Sequence, residues 1–340
     1  MRIGIFGRER DPHCVRLAAA LAERGVESVL IDLALDSAEH RASIRADGVT
    51  FGGQSLHDIP AFFVRSVVSP IPHVHAVGEH MRLYDEWHVQ YMRSRETHGF
   101  AVAFLLALEA GGAKLVNPLE CGQIGQLKPH HTLELIRGGF PLPPTLITSN
   151  PREALEFIAE HGETIYKPVM GGALTRAVTA DDLDRIELIE NSPIILQKLI
   201  RGEDIRVTLT EDEILSACII KSDALDFRGS TGYETGGAVY EPVELPEEIR
   251  EMCFAALRTS GYRFSGIDLK RSFPNDYYLL ECNYAPAYAE IEDRTGHRIT
   301  QGIADYLHRL ASAGVSQPRK VDSFIDYSGN FLSRQGARRG

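Results

Sequence analysis

Three oxygen-bearing side chains late in the 340-residue chain, Asp268, Glu281 and Asn283, have the types and spacing to do chemistry. They lie in F-S-G-I-D-L-K-R-S-F-P-N-D-Y-Y-L-L-E-C-N-Y-A-P, from Phe264 to Pro286. This stretch reads as two short strands rich in Ile, Leu and Tyr, reversed at Pro274-Asn275. If the arms pair symmetrically about that turn, Asp268 falls opposite Glu281. Alternation along a strand then puts Glu281 and Asn283 on one face, with Leu280 and Cys282 on the other. Opposed carboxylates roughly 5 Å apart repel unless a cation lies between them. Two carboxylates and an amide suit a hard ion such as Mg²⁺, whose remaining ligands are often substrate phosphates. Taken alone, the same pattern also fits an ordinary hairpin with a solvated acidic face.

The elements that must carry these residues follow from the rest of the chain. Arg2 to Phe6 read as a strand, Pro12 to Arg24 as a helix and Val26 to Leu33 as a strand, a β-α-β opening of the kind found in nucleotide-binding sheets. Gly4 and Gly7 in G-I-F-G-R-E-R lack the later glycine of a dinucleotide fingerprint, which argues against NAD. A strand over Ala61 to Val68 carries Arg65, and a long helix over His80 to Ala110 carries Arg93, Arg95 and Glu96. These charges suit a substrate entrance or, more simply, a solvated face. Further on, a strand at Lys114 to Asn117 precedes a helix over Leu127 to Gly138. A proline-enforced extension (Pro141, Pro143, Pro144) leads to a strand at Thr145 to Thr148, and a helix opens at Asn150-Pro151. Lys167 stands in an apolar strand just before Pro168 and the Gly171-Gly172 loop. An ammonium there needs an anion, such as phosphate, or must reach solvent along its stem. In S-P-I-I-L-Q-K-L-I-R-G-E-D-I-R-V-T-L-T, Asp204 and Arg206 share a strand face, pairing an acceptor suited to ribose hydroxyls with a permanent cation suited to phosphate. A polar segment containing Arg228 and a helix over Pro246 to Ser260 lead back to the hairpin.

Composition sets the outer limits. The chain is 44% hydrophobic and 24% charged, an ordinary globular balance. Its length fits two or three domains. A formal charge of −11 argues against a general nucleic-acid binder, which needs a basic surface. Five scattered cysteines without C-x-x-C spacing indicate neither a disulfide framework nor a zinc site. No apolar run approaches a membrane span, and the start reads as a strand rather than a signal peptide. The expectation is a cytoplasmic protein without nucleic-acid or membrane partners.

The ordered set is more telling than any part: a helix lysine, a strand lysine before a Gly-rich loop, Q-K-L-I-x-G-x-D-I-R, then a D…E-x-N hairpin. It resembles the ATP-grasp enzymes, and within them the RimK type of glutamate ligase, over about Lys114 to Leu310. That resemblance implies an α/β chain (α+β in its C-terminal part) with a Rossmann-like pre-ATP-grasp domain over 1–113. It also implies a central subdomain over 114–192, a metal-bearing subdomain over 193–318 and a tail over 319–340. It assigns Lys128 and Lys167 to ATP phosphates, Gln197, Lys198 and Ile200 to the adenine segment, and Asp204 to the ribose. Asp268, Glu281 and Asn283 become ligands of a pair of Mg²⁺ ions, for which Mn²⁺ can substitute. Arg206 and Arg228 fall where such enzymes hold the acyl phosphate or the acceptor.

The implied reaction activates a carboxylate as an acyl phosphate and joins it to an amine, releasing ADP and phosphate. A kinase or a nucleotide-binding regulatory protein are the alternatives on the same fold. Where many relatives read E-x-N-x-S-P-G, this chain has E-C-N-Y-A-P-A, so Tyr284, Ala285 and Ala287 point to an altered acceptor pocket. Arg294 and His297 are expected near its end. The run V-N-P-L-E…L-K…G-F-P-L-P-P-T-L-I-T-S-N also resembles ATP-grasp maturases that crosslink ribosomally made peptides. The resemblance therefore implies small-molecule or peptide carboxylate and amine substrates, and a homo-oligomer is expected in keeping with the family.

Overall fold

The computed structural model describes residues 1–34, 40–46, 48–67, 69, 82–121, 127–170, 174–221 and 239–314. Arg228, the Gly171-Gly172 pair and the 319–340 tail lie outside them. The first sheet is wholly parallel. Its strands are β1 (Arg2–Phe6), β2 (Glu27–Ile31), β6 (Ala61–Val64) and β7 (Lys114–Val116), in the order β2-β1-β6-β7. Helix α1 (Pro12–Glu23) starts where Asp11 caps it, accepting from His13 N, with Pro12 fixing the first turn. The short strands β3 (Ala42–Arg45), β4 (Gly48–Phe51) and β5 (Gln54–Ser55) make an antiparallel sheet that the sequence reading missed. Helix α2 (Arg82–Ala110) buries Ala101, Phe104, Leu105 and Leu108, while Trp87, Val89 and Met92 stay exposed.

Helix α3 (Lys128–Arg137) leads into the second sheet. Strands β8 (Thr145–Thr148), β9 (Thr164–Pro168), β10 (Arg176–Ala177) and β11 (Ile194–Lys198) run antiparallel in the order β10-β9-β11-β8. Helix α4 (Pro151–His161), capped by Asn150, covers it through Ala154. The third sheet is the platform of the molecule, with β12 (Glu203–Thr210), β13 (Ile214–Lys221), β14 (Val239–Pro242), β15 (Phe264–Ser272) and β16 (Asp276–Asn283). Their order is β14-β13-β12-β15-β16, antiparallel throughout.

Period two decides what this platform shows to each side. Ile205, Val207, Leu209, Ile267, Leu269, Leu279 and Cys282 pack with Ile249, Cys253, Ala256 and Leu257 of helix α6 (Glu247–Thr259, following the short α5, Ala180–Leu183). Each fully buried Leu or Ile contributes about 2 kcal/mol. The alternate residues of β12, β15 and β16 are the polar set named above. Helices α7 (Ala289–Thr295) and α8 (Ile299–Ser312) then return to the first sheet, where Ile303, Ala304 and Leu307 join Ile3, Ile5 and Leu17 in one core. The N-terminal sheet is thereby fastened to the chain that leaves the hairpin.

Candidate active site

Asp268 does face Glu281, though by a different route from the symmetric one. Ser272 pairs with Asp276 and Leu269 with Leu279, so the turn centres on Pro274; a bulge between Asp268 and Leu269 then restores the Asp268–Glu281 pair. Without that extra residue Asp268 would oppose Leu280. The bulge also changes the faces. Leu279, rather than the expected Leu280, joins Cys282 in the core, and Leu280 lines the cleft.

Three rows of side chains cross the platform. Arg206, Asp268 and Glu281 form the middle row; Asp204 and Lys270 flank it on one side, Thr208, Gly266 and Asn283 on the other. Arg206 holds Asp268 with both arms of its guanidinium, through Nε to Oδ1 and Nη2 to Oδ2, the latter at 3.0 Å. Asn283 Nδ2 donates to Asp268 Oδ2 and to the Gly266 carbonyl, both at 3.0 Å. Gly266 is needed because a Cβ there would stand 2.7 Å from Pro286 Cβ and 3.2 Å from Arg206 Nη1. Lys128, at the start of α3, reaches Glu281 Oε2 at 3.0 Å. Lys270 Nζ donates to Asp204 Oδ1 at 2.8 Å.

The charges shift one another. Burial pushes the Asp268 carboxyl above its usual range, and Arg206 pulls against that push. Burial acts on Glu281 in the same sense, but the charge of Lys128 and then that of Lys167 outweigh it and hold the carboxyl at about 2. Arg206, only 9% exposed, is held above its ordinary value against burial by Asp268.

A cleft opens at the Glu281 end of this row. Lys128, His131 and Thr132 line it from α3, Lys167, Ile195 and Gln197 from the second sheet, and Glu281 and Asn283 from β16. Lys167 arrives because β9 pairs with β11, setting it opposite Ile195. Gln197 is buried and donates to Thr145 Oγ1 at 2.9 Å. Lys198 is exposed at the strand end and Ile200 half-buried beyond it; neither lines this cleft.

Other expected contributors lie elsewhere. Arg93, Arg95 and Glu96 are exposed on α2, where Arg95 sits 5.8 Å over the Tyr91 ring. Arg294 is exposed, and His297 Nδ1 lies 2.7 Å from Ser216 Oγ at a separate surface hollow. Tyr284 has a structural role besides touching the cleft: its hydroxyl donates to the Asn117 carbonyl at 2.9 Å, and its ring stands edge-on to Tyr262. Arg65 does come close, donating from Nη1 to the Ala285 carbonyl at 2.8 Å, two residues past Asn283.

Sequence reasoning passed over two residues that hold the hairpin in place. Asn117 is buried and its side chain makes four bonds: Nδ2 to the carbonyls of Phe264 and Tyr284, and Oδ1 from the amides of Arg263 and Phe264. His13 Nε2 accepts from the amides of Tyr288 and Ala289, so its Nδ1 is the protonated nitrogen, donating to Asp11 at 2.6 Å. The V-N-P run of the sequence was the available signal for Asn117; His13 had none.

Mg²⁺ is the metal that the ATP-grasp resemblance implies. Among the described residues no three His, Cys, Asp or Glu side chains converge as a self-sufficient metal centre. Two carboxylates and an amide on adjacent strands instead match a hard ion completed by phosphate oxygens. The residues fit. A family profile described as RimK-like ATP-grasp domain matches residues 127–307.

The chain belongs to the RimK-like ATP-grasp family. It is 30% identical, with a TM-score of 0.79, to the ATP-grasp ligase PsnB, solved with a phosphomimetic variant of a minimal precursor, Mg and ADP. The match covers 91% of this chain and 98% of that one. It is 26% identical over 327 residues to a probable alpha-L-glutamate ligase 1 of Shewanella sp. (strain MR-4), covering 92% of this chain and 97% of the relative. The macrocyclase MdnC from Microcystis aeruginosa MRC, solved with precursor peptide MdnA, shares the fold at 18% identity and a TM-score of 0.74, over 91% of this chain and all of that one. The RimK-like chain is thus an ATP-dependent carboxylate–amine ligase.

Proposed function

We propose that this ligase acts on a peptide, activating a side-chain or terminal carboxylate as an acyl phosphate and joining it to an amine. The observation that carries the reading is the likeness to PsnB along nearly its whole length, N-terminal sheet included. In this account Lys128 and Lys167 hold ATP phosphates at the cleft, and Gln197, Lys198 and Ile200 form the base-binding edge. Asp204, steadied by Lys270, takes the ribose. Asp268, Glu281 and Asn283 hold Mg²⁺, which when bound neutralises phosphate charge. Arg206 stabilises charge developing on the acyl phosphate from a buried, fixed position, where a cation is worth more than in water. Arg228 is assigned to the acyl phosphate or the acceptor from the sequence alone. A cytoplasmic location, a homo-oligomer and the units 1–113, 114–192, 193–318 and 319–340 belong to the same proposal. The strands Lys114–Val116 and Ile194–Lys198 pair into the sheet that precedes their boundary. Among the described residues no helix is long and apolar enough to cross a membrane.

The acyl phosphate gives a direct test. A peptide whose carboxylates carry ¹⁸O is incubated with ATP, Mg²⁺ and the protein, and the released phosphate is examined by mass spectrometry. One labelled oxygen per phosphate is expected, because the attacking carboxylate oxygen leaves with it. Phosphate without label alongside a condensed product would contradict the mechanism, and a phosphorylated peptide would favour the kinase.

A further inference from the structure

We infer that His131 is a positioning residue for the nucleotide: by bonding Ser260 it sets helix α3 against the ends of the hairpin, and with it the reach of Lys128 to phosphate. The inference rests on the reading of Lys128 as a phosphate ligand. Helix α3 begins at Lys128 without a side-chain cap, since Leu127 at the N-cap makes no side-chain hydrogen bond. Its first turn is therefore placed by contacts further along the helix. The buried residues of α3 are His131 and Leu135. Leu135 joins the apolar cluster of α6, an attachment without direction. The His131 bond is directional and fixes both the rotation and the height of the helix.

Ser260 Oγ donates to the Ala256 carbonyl at 2.8 Å, so toward His131 it accepts. His131 Nε2, 2.8 Å away, is the donor. Burial pushes the His131 pKa down, in keeping with a neutral ring that carries its proton on that nitrogen. Ser260 closes α6 just before Phe264, where the strand of Asp268 begins. The His131 ring also packs on Tyr262, with centroids 5.8 Å apart, and Tyr262 stands edge-on to Tyr284, the residue after Asn283. His131 thus rests on the chain entering β15, beside the chain leaving β16. Lys128 lies on the same face of α3, about 4.5 Å along the axis from His131. A turn or slide of the helix at His131 is carried to Lys128 within that one turn.

Ser260 separates this role from direct contact with nucleotide, because it lies outside the cleft lining that includes His131. Binding of the ATP analogue AMPPNP with Mg²⁺ to the full chain is measured by calorimetry for wild type, Ser260→Ala, His131→Leu, His131→Gln, Lys128→Met and the pair Ser260→Ala with Lys128→Met. Ser260→Ala and His131→Leu are each expected to weaken binding about fivefold to tenfold. His131→Gln, which keeps a donor near the Nε2 position, is expected to recover most of that loss. Added to Lys128→Met, Ser260→Ala is expected to change the affinity less than about twofold, because the group it acts through is gone. Wild-type affinity in Ser260→Ala would overturn the inference. An equal loss with and without Lys128 would overturn it as well, since that marks a general loosening of the fold. Wild-type affinity in Lys128→Met would instead overturn the phosphate assignment of Lys128, and the inference with it. If His131→Leu does not fold, Ser260→Ala carries the same readings.

Discussion

The charged row on the platform separates two substitutions that the sequence made equivalent. On the opposed-carboxylate pattern alone, Asp268→Asn and Glu281→Gln would each stop turnover and spare the fold by relieving repulsion. The structure places a cation on each, so the expectation changes. Asp268→Asn leaves the nearly buried Arg206 without its charge partner, which costs about 3–5 kcal/mol. Glu281→Gln releases Lys128, which can turn to water, and its unfolding free energy is expected to stay within about 1 kcal/mol of wild type. Its turnover is expected to fall about 100-fold or more. Urea unfolding and ADP release on the two variants check this, and equal stability losses would contradict it. Asp11 carries the pH prediction. Burial raises its pKa, but hydrogen bonds from His13 and the charge of Arg65 outweigh that and hold the carboxyl at about 2, against an ordinary 3.8. A depressed folded value adds stability above the unfolded pKa, about 2 kcal/mol here, and that stability is lost as pH falls from about 4 toward 2. Asp11→Asn is expected to remove this increment at neutral pH and flatten the acid limb of a urea-midpoint profile.

At the level of elements, the hairpin is held from outside. Asn117 ties the end of β7 to the start of β15 and the exit of β16, and Asn117→Ala would leave buried backbone groups unpaired. A loss of about 3–5 kcal/mol is expected by denaturant unfolding. Gly266→Ala is expected to lower turnover more than stability, by forcing Arg206 or Pro286 aside; a crystal structure with both Arg206 and Pro286 unmoved would contradict that. These elements also mark the limit of what the sequence disclosed. Asp268, Glu281, Asp204 and Arg206 were legible because alternation is local and the residues are chemically distinct. The bulge that exchanges Leu279 for Leu280 was not, because a one-residue irregularity leaves no composition signature. The sheet β3–β5 escaped because its strands are two to four residues long. Asn117 and His13 act on residues more than 140 positions away, a distance no spacing rule spans.

At the level of the whole molecule, the parallel sheet, the small antiparallel sheet and the platform contribute separately. The second sheet brings Lys167 and Gln197 over a row of charges displayed by the third, and the first sheet fixes the chain that leaves that row. The claim joining these parts is that they condense a carboxylate with an amine at the cost of ATP. The most direct measurement is mass spectrometry of a reaction containing ATP, Mg²⁺ and peptides rich in Glu, Asp and Lys, with ADP counted in parallel, for wild type and Glu281→Gln. The account predicts a wild-type product lighter than its reactants by one water for each ADP formed, and little of either from the variant. A product heavier by one phosphoryl group, or equal yields from wild type and Glu281→Gln, would contradict it.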